Sequence, residues 1–508
     1  MGNSVDPREV ELKFHLPPGS RATLEASPAL AAAEPKHDHE VTTYFDTPDS
    51  VLDRTGLTLR VRRTGNMLTQ TVKSRANERG VATSRSEWEW RIGQDAPDVG
   101  RLAETPALAM AATAIKDRLE PVFVTDIRRT TRLLHLDDNT VVEAAIDEGS
   151  IEAGAACEPV SELELELKGG RIGPVYRLAA DLQALGPLWI SPESKAARGW
   201  HLRTGQTEGA QLAQMPKLRR LVQAAAGFHD ILGGTLGHLM ANIGPTLRGD
   251  PEALHQMRIA IRESRAALQL FEQHLDDDAA ARFNAALRRF GEIFGAARDW
   301  DVFCLETLPA AMPDLSAERL EDLNVVAEVD RQLAHAAVAD AVHGHDFTAM
   351  VLGLALWAEA GATQPSTLGD ERMGKRLRTL APSLLDRAAG KAKQRGRHAG
   401  RLSVAERHGL RKSLKKLCFD VESLAGLYRS SAVENYRVRC EALGEVLGLV
   451  NDAVVTKRLA LSLVAARRPD LAKPAGALTR WSGRRGRKAL QGLKPALKEF
   501  RAAPTFWS

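Results

Sequence analysis

The sequence predicts an α+β multidomain protein: a mainly antiparallel β domain over residues 1–205, then an all-helical domain over 218–508 built from two related halves. Three observations carry that expectation. Apolar residues alternate with period two in short segments of the first part and recur with helical period in the second. A pattern of basic residues repeats 153 positions apart within the second part. The charge divides at the same place. Residues 1–210 hold 25 Lys+Arg against 32 Asp+Glu, and residues 211–508 hold 44 against 33, so a net of −7 precedes a net of +11.

In chain order, the candidate strands are Val10–Leu16, Leu57–Arg63, Leu68–Lys73, Glu87–Ile92, Thr125–Leu136, Thr140–Ile146 and Ser161–Lys168. Helical stretches interrupt them near Pro18–Ala33 and Val175–Leu185. Closure into a barrel is one arrangement open to such a set. The boundary falls at Thr204–Pro216, where Gly205, Gly209 and small polar residues break the pattern. Beyond it, Pro216–Asn242, Pro251–His274, Ala279–Phe294, Ala317–Ala341, Ala405–Leu427 and Val433–Leu447 have helical period and predict a bundle.

The repeat lies on two of these helices. His255, Arg258, Arg262 and Arg265 correspond to His408, Arg411, Lys415 and Cys418. The register continues: Asp250 with Ser403, Gly291-Glu292 with Gly444-Glu445, Gly295 with Gly448, and Asp299 with Asp452. An ungapped correspondence of this length marks an internal duplication. Offsets of 3, 7 and 10 fall within roughly 80° of helical arc, so each copy presents one basic stripe. Lys412 and Lys416 broaden the second stripe. Asp250 before Pro251 suits a helix start, and Ser403 with Glu406 forms a capping-box pattern. One basic stripe alone would read as a solvated face. Its duplication in register favours a grip on an anion, made twice.

The composition excludes several classes. There is no apolar run long enough to span a membrane and no secretory leader pattern at the start. Cys157, Cys304, Cys418 and Cys440 form neither a metal motif nor a disulfide framework, so a reducing cytoplasm is the expected location.

The strands carry charge at strand spacing. Glu9, Glu11 and Lys13 share one face of the first. Glu162, Glu164, Glu166 and Lys168 share one face of the last. Arg60 with Arg62, Lys73 with Arg75, Arg85 with Glu87 and Glu89, and Arg129 beside Arg128 lie between. A solvated sheet face explains any one of them. Together they suggest an interior that only a polar ligand, ions or water can fill.

This set resembles the CYTH family of triphosphate tunnel enzymes over about residues 8–203. The resemblance rests on Glu9-x-Glu11-x-Lys13, Tyr44-Phe45-Asp46-Thr47, Leu59-Arg60-Val61-Arg62-Arg63, Thr71-Val72-Lys73, Arg85-x-Glu87-x-Glu89, Ile146-Asp147-Glu148-Gly149, Glu162-Leu163-Glu164-Leu165-Glu166 and Ser194-Lys195-Ala196-Ala197-Arg198-Gly199. It implies an eight-stranded tunnel whose carboxylates bind magnesium or manganese and whose cations hold a triphosphate. Metal is expected at Glu9, Glu11, Glu164 and Glu166, with Glu162 less firmly placed. Phosphate is expected at Lys13, Arg60, Arg62, Lys73, Arg129, Lys195 and Arg198. Glu9, Glu11, Lys13 and Lys73 are the residues expected to carry catalysis.

The helical part resembles the CHAD domain over about 218–508, through His255-Gln256-Met257-Arg258 with Arg262 and Arg265, and through His408 to Lys416. That likeness implies polyphosphate binding by His255, Arg258, Arg262, Arg265, His408, Arg411, Lys412, Lys415 and Lys416. Glu263 and Cys418 depart from the family pattern, where basic residues are usual, and weaken the local positive field. Asp299 and Asp452 are expected either to orient the cations or to serve the helix core.

Three weaker signals are set aside. Gly369-x4-Gly374-Lys375 lacks the Ser/Thr and preceding strand of a phosphate loop. His37-Asp38-His39 and His343-Gly344-His345 read as solvated loop clusters. Arg484-Arg485-Gly486-Arg487-Lys488 has too few aromatics for single-stranded nucleic acid and reads as more polyanion surface. The expectation is a metal-dependent inorganic triphosphatase with a polyphosphate-binding domain, in the cytoplasm or at polyphosphate granules, with no membrane and no nucleic-acid partner. A class IV-like adenylate cyclase on the same tunnel, or a non-enzymatic polyphosphate-binding or targeting protein, are the alternatives.

Overall fold

The computed structural model describes residues 8–75, 80–105, 108, 115–206, 209–315, 317–397, 402–466 and 468–507. They fall into two compact units. One comprises Met1–Gln211, Leu236–Asp250 and Val342–Leu356; the other comprises Leu212–Thr235, Pro251–Ala341 and Trp357–Ser508.

The first unit is built on nine strands: β1 (Arg8–His15), β2 (Lys36–Asp46), β3 (Leu57–Thr64), β4 (Met67–Ser74), β5 (Thr83–Ile92), β6 (Glu120–His135), β7 (Val141–Ala153), β8 (Ala156–Gly169) and β9 (Trp189–Ile190). Their order is β5-β4-β3-β2-β6-β7-β8-β1-β9, and a further β5–β1 pairing closes the first eight into an antiparallel barrel. Closure pairs Glu9 with Arg85 and Glu11 with Thr83 on one side of β1, and Glu11 with Glu166 and Lys13 with Glu164 on the other. Period-two alternation sends Glu9, Glu11 and Lys13 inward, while Leu12 and Phe14 are buried on the opposite face. The short β9 pairs with Phe14 and His15 at the far end of β1.

The structure adds two strands to the expected set, β2 and the short β9, and lengthens others. β2 contains His37-Asp38-His39, which is therefore strand and not loop: His37 Nδ1 meets Thr130 Oγ1 at 3.1 Å and His39 Nε2 meets Asp126 Oδ1 at 2.7 Å on β6. β5 begins at Thr83 and so takes in Arg85. The expected helix at Pro18–Ala33 is two short ones, Ser20–Glu25 and Pro28–Ala31. Ser27 ends the first and caps the second, accepting from Leu30 N, with Pro28 at the first helical position.

In the second unit the duplication is present element by element. The helices Pro251–Leu270 and Val404–Ser423 have 20 residues each, and both ends are related by the 153-residue offset. A 3-10 turn follows each, Glu272–His274 and Ala425–Leu427, and the next helices start at Asp277 and Ser430. Equivalent glycines let the paired helices approach: a Cβ on Gly291 would lie 3.2 Å from Ile261, and one on Gly444 would lie 3.7 Å from Leu414. Ser403 and Glu406 form the expected capping box. The copies part after Asp301, where the first turns π-helical over Val302–Thr307 and the second runs straight to Ala466. The helix expected from Pro216 starts only at Ala224, because the backbone of Val222 and Ala224 bonds instead to Leu377 and Lys375. Between Gly369 and Lys375 the chain forms the 3-10 turn Glu371–Gly374, and Gly369 makes an isolated bridge to Leu275, so the segment has no strand–loop–helix geometry.

Candidate functional site

The barrel encloses a cavity of about 260 Å³. Eight basic side chains line it: Lys13, Arg60, Arg62, Lys73, Arg85, Arg129, Lys168 and Lys195. Nine acidic ones do too: Glu9, Glu11, Glu40, Glu87, Glu89, Glu143, Asp147, Glu164 and Glu166. The acids concentrate on β7, β8 and β1, and most of the cations on β3 to β6.

Each lining cation has a carboxylate within ion-pair distance. Lys13 Nζ lies 2.8 Å from Glu164 and 3.4 Å from Glu11. Lys73 Nζ lies 2.8 Å from Glu9 and 3.1 Å from Glu87. Arg85 reaches Glu9 and Glu11, both at 2.7 Å. Arg129 donates to Asp147 at 2.5 Å and to Glu164 at 2.6 Å. Lys195 contacts Asp147 at 2.6 Å and Glu164 at 3.1 Å, and also pairs with Glu162. Arg62 meets Glu40 at 3.3 Å, Arg60 meets Glu87 at 3.8 Å, and Lys168 meets Glu166 at 2.7 Å.

Burial raises the cost of each charge, and the neighbours decide the sign. Burial pushes Glu9 up, but Lys73 and Arg85 outweigh it and hold the carboxyl well below the usual range. The same contest, won by Lys13, Lys195 and Arg129, holds Glu164 well below it. Burial prevails at Glu162 and Glu166, which are raised. Lys73 is pushed down to about 8 by burial and by Arg85 and Arg60.

Most of the expected tunnel residues meet in this cavity. Arg129 faces it and Arg128 is exposed, as the alternation of a strand requires. Arg198 stands apart from the lining, donating to Glu158 at 2.7 Å and to the Pro159 carbonyl at 2.6 Å. Seven charged lining groups escaped the assignment by sequence: Glu40, Arg85, Glu87, Glu89, Glu143, Asp147 and Lys168. Arg85 and Asp147 stood inside quoted motifs, whereas Glu40 lay on the unexpected strand. Among the described residues, Asp147, Glu162 and Glu164 are buried and place one oxygen each within 4.8 Å of one another. Strand register brings them together, since Asp147 of β7 pairs directly with Glu162 of β8.

The second unit brings part of the duplicated stripe together. Lys415 lies within electrostatic reach of Arg411, Arg262 and Arg258, and Arg411 within reach of Asp452, Arg258 and Asp299. Burial and these neighbours push Lys415 down to about 7. Burial and Arg298 push His255 down to about 4, so its imidazole is neutral near pH 7. His255 Nδ1 and Arg411 Nε are buried without a hydrogen-bond partner. His408 Nδ1 sits 3.0 Å from Asn451 Oδ1, and Asp299 pairs with Arg458 at 2.6 Å. Lys412 is exposed beside His408. Arg265 and Lys416 belong to other surroundings. The first donates to Asn284 at 3.0 Å, and the second faces Asp420, Lys391 and Arg387. Glu263 is buried 3.8 Å from Arg262, and burial raises it to about 7.

Fold and site together define a two-part chain, a charged β tunnel followed by a duplicated helical bundle. Residues 7–200 match the CYTH domain and residues 230–461 match the CHAD domain, so the chain carries a CYTH domain followed by a CHAD domain. An inorganic triphosphatase of Haemophilus influenzae is 31% identical over 164 residues, 32% of this chain and 46% of that protein. The chain thus spans about half the length of this curated relative. The crystal structure of the CHAD domain from the plant Ricinus communis is similar at a TM-score of 0.51 and 27% identity, covering 59% of this chain and 99% of that one. No helix among the described residues is long and apolar enough to cross a membrane.

Proposed function

We propose that the chain is a metal-dependent inorganic triphosphatase whose tunnel takes tripolyphosphate and whose helical unit binds polyphosphate. The observation that carries the first part is the tunnel lining of eight cations and nine carboxylates. Guanidinium and ammonium groups on β3 to β6 suit phosphate oxygens. The lining as a whole is close to neutral, so a polyanion needs further positive charge to enter it. Asp147, Glu162 and Glu164 supply an all-oxygen donor set that fits magnesium or manganese, with Glu9, Glu11 and Glu166 as further candidates. When bound, such a cation neutralises phosphate charge and acidifies a water.

The protein's own groups do the rest. Lys13, Lys73, Arg60, Arg62, Arg85, Arg129 and Lys195 hold the phosphates in line, and the tunnel wall fixes their orientation. Water attacks the terminal phosphorus, the anhydride P–O bond breaks, and pyrophosphate leaves. For the helical unit, the buried, unsatisfied Nδ1 of His255 and Nε of Arg411, set among Arg258, Arg262 and Lys415, support a phosphate chain as ligand.

The test is phosphate release from tripolyphosphate with magnesium or manganese. Glu9→Gln and Glu11→Gln should each lower the rate about a hundredfold or more in a protein that still folds, as circular dichroism would show. A folded, purified protein that leaves tripolyphosphate intact with both metals would sink the first part. Unimpaired polyphosphate retention by Arg258→Gln with Arg411→Gln would sink the second.

A further inference from the structure

The last two helices carry charge of one sign. From Ala472 to Trp507 there are nine Lys and Arg against a single acid, Glu499. On the helix Ala472–Leu490, Lys473, Arg480, Arg484 and Arg487 fall within roughly 60° of arc, with Lys488 on their flank. On the helix Leu493–Ala502, Lys494, Lys498 and Arg501 do the same. All eight are exposed. Among the described residues none of them forms an ion pair; Arg501 donates to the Gly396 carbonyl at 2.8 Å. This is the reverse of the tunnel, where every cation has its carboxylate.

The face they occupy turns away from the core. A Cβ on Gly486 would lie 3.0 Å from Ala453, which sets the opposite face of the helix against Ser430–Ala466. Trp481 and Phe500 are buried on the inner faces at 6% and 0% exposure, and Arg485 lies over the Trp481 ring at 4.7 Å. No aromatic platform is left on these helices for stacking bases and no apolar wedge for entering a bilayer. Like charges in rows contribute nothing to the helices themselves. What they fit is a phosphate chain, held by charge alone and without sequence. The matched CHAD residues end at 461, so this charge lies beyond them.

We propose that the outer face of these two helices is a second, purely electrostatic surface for long-chain polyphosphate, engaged by chains that also occupy the duplicated stripe. This rests on the reading of that stripe as a polyphosphate site. The polymer is then its own linker. A chain long enough to reach both surfaces gains effective concentration, and a short chain gains none.

The experiment compares the full chain with an Arg480→Gln, Arg484→Gln, Arg487→Gln, Lys488→Gln variant. The probes are tripolyphosphate and polyphosphate of about a hundred phosphates, each titrated across a salt series. The variant should bind the long chain about tenfold or more weakly, and its log–log salt slope should fall by about 3. Its melting temperature and its handling of tripolyphosphate should stay as in the parent. Unchanged long-chain affinity in the variant, with the parent binding well, overturns this inference alone. Equal losses for short and long chains overturn the bivalent form of it. A variant that loses duplex DNA or anionic vesicles while keeping polyphosphate assigns the surface to another partner and overturns it too. A parent that retains no polyphosphate at all overturns the reading of the stripe itself.

Discussion

Lys415 shows what crowding does to one cation. It shares its surroundings with Arg411, Arg262 and Arg258, and Asp452 offsets only part of their field. Burial and that repulsion leave its folded pKa at about 7, below the ordinary lysine value, so the charged form is full only below neutrality. Polyphosphate affinity should therefore fall as pH rises through about 7, and Lys415→Met should flatten that dependence while weakening binding at pH 6; titrations at pH 6 and 8 check both. Glu263 has the opposite sign. Its folded pKa is raised to about 7, chiefly by burial, so the stability it contributes is complete below the unfolded value and lost as pH rises through 7. Glu263→Gln should raise the melting temperature at pH 8 and leave it nearly unchanged at pH 4. The position of Glu263 was legible in the sequence, because spacing puts it on the stripe. Its burial was not, because the Glu422 and Arg262 side chains that surround it come together only in the folded bundle.

At the scale of elements, legibility followed the pattern of apolar residues. β3 and β4 alternate cleanly and were read close to their true bounds, whereas β7 runs on to Ala153 beyond the expected Ile146 and β8 begins at Ala156, before the expected Ser161. β2 was missed because both of its faces are polar through His37, Asp38, His39 and Glu40, so no apolar period marks it. Its inward face then carried Glu40 into the site unseen. β5 opens with Thr83-Ser84-Arg85-Ser86 and was read short for the same reason. The pairing of the duplicated helices was legible, since a repeat needs no period to be recognised, only a copy, but both were read too long: they end at Leu270 and Ser423, and 3-10 turns follow. Asp147 was visible as a letter in a motif, but its meeting with Glu162 depends on β7–β8 register, which local sequence does not state. The pairing of β7 with β6 on its other side needs Gly149. A Cβ there would lie 1.9 Å from the Asp126 carbonyl oxygen of β6, a backbone atom that cannot swing aside. Gly149→Ala should cost about 2–3 kcal/mol or more in urea unfolding, with loss of phosphate release as β6 and β7 separate.

The molecule as a whole is divided differently from its sequence. The compact unit that holds the barrel also includes Leu236–Asp250 and Val342–Leu356, which lie within the CHAD match. Ile190 N donates to Thr348 Oγ1 at 3.1 Å, Gln183 to the His345 carbonyl at 2.9 Å, and Arg248 grips Glu193 with both amino nitrogens. Glu193 stands two residues before Lys195, which reaches into the tunnel. Residues 1–205 expressed alone lack all of these partners. They should unfold at a lower temperature than the same unit in the full chain, and calorimetry of the two would show it. Equal transitions would mean that the two inserted segments are dispensable to the barrel. A contrast between an acidic half and a basic half was legible at once, yet charge counts gave no hint that chain from the basic half completes the acidic unit.

If the tunnel takes metal and tripolyphosphate as proposed, it acts as an ion exchanger. Lys13, Arg129 and Lys195 all lean on Glu164, so an incoming phosphate can take these cations only by displacing a carboxylate. A divalent cation that takes Glu164 and Asp147 releases the same three donors for phosphate. Each ligand thus removes the competitor of the other, a metathesis of salts carried out on fixed side chains. Linkage makes the effect reciprocal: whatever factor tripolyphosphate adds to metal affinity, metal must add to tripolyphosphate affinity. Calorimetric titration of Glu9→Gln, with turnover suppressed, should return the two factors as equal and greater than one.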